Sequence, residues 1–407
     1  MSKTAQELAE QLVQESNFQS TQEILNCIKS LFGSTIEKVL DAEIDMQLGY
    51  DKNSQRPNAA QDTKRNYRNG TSARTLKTEL GAVEINVPRD RNGEYEPKIL
   101  DKHQRNADGI EDKIIALYAT GMSTRDIEAQ IRNLYDINIS AELVSKITDK
   151  IMPEVNEWQN RPLEETYPFI FLDAIHYKVR EDHQIITKAA YVVLGVNVDG
   201  QKEVLGIWIG ANESSKYWLG VLNELKSRGV KNVFLFCVDG LTGFKEAIVS
   251  VYPRAQIQRC VIHQIRSSTR FVSYKHIKEF IADLKRIYGA TTEERALSEF
   301  ELFQEKWGKT YPSAVKSWSD NWDVITAFYH FPVEIRKAIY TTNAIEALHR
   351  QLRKVTKTKN FFPTDDSLRK LLYLVVMNLS AKWTMRYKNW DVIYNQLAIM
   401  YEDRMSA

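Results

Sequence analysis

The chain has 407 residues, of which 43% are hydrophobic, 10% aromatic and 27% charged, proportions that exclude a disordered or collagen-like chain. Its 55 basic residues nearly cancel its 53 acidic ones, so net charge by itself says nothing about a polyanionic partner. The length predicts two or three domains with a substantial core. Three cysteines with no close pair (Cys27, Cys237, Cys260) exclude a disulfide framework and fit a reducing compartment. The polar start MSKTAQELAEQL lacks the apolar centre of a signal peptide, and no apolar run is long enough to cross a bilayer. A cytoplasmic protein with no membrane partner is expected.

Charge is distributed unevenly. Residues 1–50 carry three basic against eight acidic side chains, and residues 51–105 carry twelve against eight. Residues 251–288 carry eight against two, and residues 343–390 ten against three. Separate basic zones of this kind bind polyanions. Solvated helix faces produce similar runs.

In chain order, residues 1–50 predict helices, with Leu8, Leu12, Ile24, Ile28, Leu31, Ile36 and Leu40 at helical spacing. Their acidity points to packing against another chain or domain, possible dimerisation included, and away from DNA. Residues 51–105 predict a basic DNA-binding arm with short strands. Residues 51–75 are polar and short of apolar anchors, Val83, Ile85 and Val87 alternate with polar residues, and Arg89 to Gly93 form a basic turn. Lys64, Arg65, Arg68, Arg89 and Arg91 are the candidate DNA contacts here. Residues 106–155 predict a helix-turn-helix-like DNA-binding unit. Ser123 with Asp126 caps one helix, Ser140 caps the next, and Lys146 is its candidate contact; an ordinary helical hairpin shows the same pattern.

From 156 the character changes. Strand-like runs Phe169–Arg180, Ile186–Val198 and Glu203–Gly210 come first, with Asp199-Gly200 as a hairpin turn. A helix (Ser214–Arg228), the apolar run Val233–Val238, a helix (Phe244–Val251) and a short strand near Ile257 follow. The order β-β-β-α-β-α-β predicts an α/β fold with a mixed sheet, an antiparallel meander extended by parallel crossover strands. Residues 156–268 are thus expected to form the first part of a catalytic domain and 269–338 an all-helical insertion with Trp307, Trp318, Trp322 and Phe328 in its core. Residues 339–407 supply the catalytic domain's C-terminal helices.

Three carboxylates carry the chemistry. Asp173 lies mid-strand on a face shared with Phe169, Phe171, Ile175, Tyr177 and Val179, where an acid must be paired, hydrogen-bonded or metal-bound. Asp239 ends the apolar run, at the carboxyl edge where α/β sheets place ligands, although Asp239-Gly240 also reads as a turn or helix cap. Glu346 stands three residues after Asn343 and four before Arg350, which also fits a capping box and a surface ion pair. Arg350, Arg353, Lys354, Lys357 and Lys359 follow it, a basic stripe suited to phosphate. A divalent cation would relieve converging aspartates. Cys260-x2-His263 suggests zinc, but a structural zinc site needs four ligands and no second close pair follows. His263 is alternatively placed to touch a phosphate or adjust an acid.

Taken together, these features resemble the ribonuclease H-like fold of DDE transposases and integrases, interrupted by an all-α insertion and preceded by helical and helix-turn-helix-like DNA-binding regions. More narrowly, Asn69-Gly70, Val87-Pro88-Arg89-Asp90-Arg91, Gly121-Met122-Ser123, Val238-Asp239-Gly240, Cys260-x2-His263, Tyr340-Thr-Thr-Asn-Ala-Ile-Glu346 and Phe362-Pro363 resemble bacterial Mutator-type insertion-sequence transposases, in order, from about residue 60 to 380. The resemblance implies a metal-binding catalytic triad of Asp173, Asp239 and Glu346, two Mg²⁺ ions with Mn²⁺ as a substitute, and Cys260 and His263 as active-site support. It also implies a homodimer that acts on double-stranded DNA, both terminal inverted repeats and target, and a nucleoid-associated protein when bound. The alternatives are a domesticated DNA-binding protein and a ribonuclease H-like nuclease without strand transfer. One further hypothesis is that Trp318 or Trp322 stacks on a base near the cleaved end, against the ordinary reading of both as core residues.

Overall fold

The computed structural model describes residues 5–50, 66–78, 81–100, 109–211, 213–339 and 343–405. Two compact units emerge, one of residues 1–118 and 122–148, the other of 119–121 and 149–407.

The first unit contains α1 (Ala5–Glu15), α2 (Thr21–Leu48), the hairpin β1 (Arg68–Thr78) and β2 (Gly81–Asp90), then α3 (Ile110–Ala119), α4 (Thr124–Tyr135) and α5 (Ala141–Asp149). Ile36 and Leu40 of α2 pack on Leu76, Val83, Ile85 and Val87, so the alternation read in β2 becomes a buried face. β1 begins inside the stretch expected to be an arm. Its residues 69–73 are exposed, and their antiparallel pairing with β2 supplies what their own composition lacks. Ser123 and Asp126 form the expected capping box, and Ser140 accepts from Leu143 N at 3.2 Å to start α5. Among the described residues, no helix is long and apolar enough to cross a membrane.

The second unit opens with α6 (Met152–Asn160) and is built on a five-stranded sheet of β3 (Thr166–Glu181), β4 (Gln184–Val196), β5 (Lys202–Gly210), β6 (Asn232–Val238) and β7 (Gln256–Arg259). The order is β5-β4-β3-β6-β7, with β3, β4 and β5 antiparallel and β3, β6 and β7 parallel, the mixed sheet that the residue pattern predicts. At the β4–β5 turn Gly200 has φ +78, and a Cβ there would lie 2.3 Å from the Trp390 ring. Both demands require glycine.

Helices α7 (Ser215–Ser227) and α8 (Phe244–Val251) cover one face, where Trp218 packs with Tyr191, Phe244, Ile170 and Leu172. After β7 come α9 (Val261–Thr269), α10 (Tyr274–Tyr288), α11 (Glu293–Trp307), α12 (Pro312–Ser319), α13 (Trp322–Ile325), a 3-10 turn and α14 (Val333–Ile339). The chain closes with α15 (Asn343–Thr356), α16 (Asp365–Ser380), α17 (Trp390–Met400) and α18 (Glu402–Met405). Phe169 meets Trp390 of α17 edge-on, so odd-numbered residues of β3, Asp173 among them, face the C-terminal helices.

Trp318 is fully buried and donates from Nε1 to Ser268 Oγ at 2.9 Å, while Trp322 packs on Phe300. Trp318 therefore cannot stack on a base. Four aromatics in this short helical stretch build a core.

Candidate active site

The parallel register of β3 and β6 pairs Leu172 with Val238. The next residue of β3 is Asp173 and the residue just past the end of β6 is Asp239, so the two aspartates lie side by side where β6 ends. Helix α15 packs on β3 and brings Glu346, His349, Arg350 and Arg353, spaced i, i+3, i+4 and i+7, to the same place. Helix α9 starts where β7 ends and contributes His263, Arg266, Ser267 and Arg270 on one face. These side chains line a cavity of about 790 Å³ with His176, Glu213 and Arg259. Four carboxylates and five guanidinium groups share it, a composition suited to a phosphate and a cation together.

Each carboxylate of the expected triad has a nitrogen partner. Asp173 Oδ1 accepts from Ala174 N at 2.8 Å, and its Oδ2 lies 3.3 Å from His349 Nδ1. Asp239 Oδ1 accepts from Gly240 N at 2.6 Å. His263 stands between the other two, with Nδ1 3.5 Å from Asp239 Oδ1 and Nε2 3.4 Å from Glu346 Oε1. Arg266 Nη1 reaches Glu346 Oε1 at 3.3 Å. Glu346 has no ion pair with Arg350, so the surface pair that its spacing allows does not form.

The hydrogen bond to Cys260 raises the His263 pKa to about 9, against the opposing effect of burial, and the negative charges of Asp239 and Asp173 add to the rise. Cys260 is buried at the N-cap of α9, three residues before His263, and is not among the residues that line the cavity. Burial raises the Glu213 pKa, and the nearby charges of Asp173 and Asp239 raise it further. Gly240 has an ordinary φ, and Arg259 explains its glycine. The guanidinium lies across it, and a Cβ would fall 1.9 Å from Arg259 Nη2. Neither the turn nor the cap reading of Asp239-Gly240 includes this contact.

Among the described residues no three His, Cys, Asp or Glu side chains stand close enough to enclose a metal ion. The donor chemistry nevertheless fits Mg²⁺. Asp173, Asp239 and Glu346 are hard oxygen ligands lining one polar cavity.

The expected DNA contacts fall into three groups. Arg350 and Arg353 line the cavity, while Lys354 near the end of α15 and Lys357 just beyond it are exposed. Arg89 and Arg91 are exposed on the first unit, and Lys146 is exposed and paired with Glu142 at 2.7 Å. Arg68 turns inward to Asp41, at 3.1 Å, and to Asp45, so its guanidinium is not presented to a ligand. Lys64 and Arg65 lie outside the described residues. Sequence reasoning missed His349, Arg259, Arg266, Arg270 and Glu213. His349 shares a helix face with Glu346, and Arg266 and Arg270 share one with His263, so helical spacing could have found those three. Glu213 sits between β5 and α7 and carries no sequence signal.

A sheet whose carboxyl edge gathers carboxylates and arginines has the layout of an α/β protein that handles phosphate esters. The family model described as "Transposase, Mutator family" matches residues 3–386. The chain is 42% identical over 369 residues to a protein from Sinorhizobium fredii (strain NBRC 101917 / NGR234) named "Probable transposase for insertion sequence element ISRM3-like", with 90% of each chain covered. It is equally similar, 42% over 369 residues and 90% of each chain, to "Transposase for insertion sequence element ISRM3" from Rhizobium meliloti (strain 1021). Among solved structures, the "Drosophila P element transposase strand transfer complex" aligns with 76% of this chain and 90% of that one at 11% identity, with a TM-score of 0.30, too low to argue a shared fold. The chain belongs to the Mutator family of transposases.

Proposed function

We propose that this protein is the transposase of an insertion sequence, binding the element's terminal inverted repeats and cutting and joining DNA through Asp173, Asp239 and Glu346 on a ribonuclease H-like domain. The observation that carries the reading is the convergence of these acids, from β3, the end of β6 and α15, on one cavity that five arginines also line.

In this reading the three carboxylates hold Mg²⁺, or Mn²⁺ in its place. When bound, a pair of such ions supplies charge stabilisation to the attacking and leaving oxygens of an in-line displacement. The chain's own residues do the rest. Arg266, Arg270, Arg350 and Arg353 bind the non-bridging oxygens and phosphates of the strand. His263 stands between Asp239 and Glu346, and His349 orients Asp173. Cleavage joins a water oxygen to phosphorus and breaks the bond to the 3′ oxygen. In joining, that freed 3′-hydroxyl loses its proton and attacks a target phosphate, forming a new phosphodiester. The target's own bond to its 3′ oxygen breaks at the same time, and that oxygen leaves, taking up a proton.

Calorimetric titration of the full chain with Mn²⁺ tests the assignment without relying on turnover. The wild type is expected to bind, and Asp173→Ala and Glu346→Ala to lose that binding while keeping their melting behaviour. Equal Mn²⁺ binding by all three proteins contradicts the triad.

A further inference from the structure

The cavity-lining stripe of α9, His263, Arg266, Ser267 and Arg270, leads directly to two outward-facing rings. Phe271 follows Arg270 and is 57% exposed, and Tyr274, at the start of α10, is 94% exposed. Among the described residues neither side chain has a hydrogen bond or ring contact, unlike Trp318 and Trp322, which are taken up by packing. The cations beside them are uncommitted as well. Arg270, Lys275 and Lys278 make no ion pair among the described residues, and the neighbouring Glu279 is engaged by Lys306 at 2.7 Å.

Two bare rings among unpaired cations, continuous with a phosphate-suited cavity, have the composition of a single-strand nucleic-acid surface. The cations follow the backbone and the rings take bases. Inside a duplex each base face is covered by its neighbours. A projecting ring can therefore stack only on a base that has left the helix. A protein partner would need a larger apolar surface and no such ring of free positive charge. We propose that Phe271 and Tyr274 form a stacking platform for unpaired bases of the DNA strand beside the cleaved phosphodiester. This rests on the transposase reading above and adds to it that the DNA end is locally melted at the site.

The test compares the full chain's affinity for terminal-repeat duplex with a blunt end and for the same duplex with a short single-stranded extension at the cleaved position, 2-aminopurine replacing one unpaired base. The wild type is expected to prefer the extended DNA and to quench the probe. Phe271→Ala with Tyr274→Ala should reduce the affinity for extended DNA about tenfold and abolish quenching, with blunt-duplex affinity unchanged. Tyr274→Trp should restore the preference, and Lys275→Gln with Lys278→Gln should weaken both DNAs alike. Preference and quenching that survive in the double alanine variant overturn the proposal, as does a wild type that binds both DNAs equally. A change of oligomeric state in that variant with the preference intact assigns the rings to a second copy and also overturns it. A wild type that binds neither DNA removes the transposase reading itself.

Discussion

His349 is 4% exposed, its Nδ1 faces Asp173 Oδ2 and its Nε2 is buried without a partner among the described residues. A histidine placed so that one nitrogen serves a carboxylate and the other serves nothing has orientation as its role. Partners that orient metal-binding carboxylates are worth about 10- to 100-fold in activity. His349→Ala is accordingly predicted to slow strand transfer by that factor with DNA affinity unchanged, and His349→Asn, which keeps a donor near Nδ1, to recover part of the rate. Equal rates in wild type and alanine variant contradict it. Gly240→Ala forces the Arg259 guanidinium aside, a movement a flexible side chain can make. The expected result is a cleavage defect with the melting temperature nearly unchanged, checked by cleavage assay and calorimetry on the same preparation.

At the scale of elements, Lys188 on β4 is almost buried and joins Glu181 of β3, at 2.7 Å, to Asp365 of α16, at 2.8 Å. Because both carboxylates keep contact with water, Lys188→Met is predicted to destabilise by about 1–2 kcal/mol, less than a fully buried pair would. Trp318→Ala removes a fully buried indole and its bond to Ser268, and about 3–5 kcal/mol of stability should go with it, read by chemical denaturation. A loss of DNA binding with stability intact would restore the stacking role denied to Trp318. The pattern of residues revealed most of these elements. The apolar run of β6 and the alternation in β3 and β4 are properties of the chain itself, and so the mixed sheet was legible. β1 was not, because its exposed residues take their conformation from pairing with β2. The aspartates could be placed on their strands, and their meeting depended on β3 and β6 being neighbours, which local pattern does not encode. Arg259 matters through its contact with Gly240, a distant segment, so local pattern did not mark it out, whereas His349 stood at helical spacing from Glu346.

For the whole molecule, near-neutral net charge hides a division of labour. The acidic N-terminal region packs on its own hairpin, and basic side chains collect around the cavity of the second unit. Helix α2 buries Ile36, Leu40 and Ile44 and leaves Ile24, Ile28 and Leu31 each more than 40% exposed. This second apolar row is where the homodimer expected from the resemblance would have its contact. Ile28→Glu with Leu31→Glu should give a monomer by sedimentation, and an unchanged mass would place the dimer contact elsewhere or exclude it. The central claim is that the convergent acids perform DNA transposition. A strand-transfer assay with purified protein, Mg²⁺ and DNA carrying the element's terminal inverted repeats, run for wild type and Asp239→Ala, tests it most directly. Metal-dependent cutting and joining by the wild type, with the variant bound to DNA but reduced by on the order of a thousandfold or more, is the predicted result. Specific binding without cleavage, the same in both proteins, would contradict the account and leave Asp173, Asp239 and Glu346 as structural residues of a DNA-binding protein.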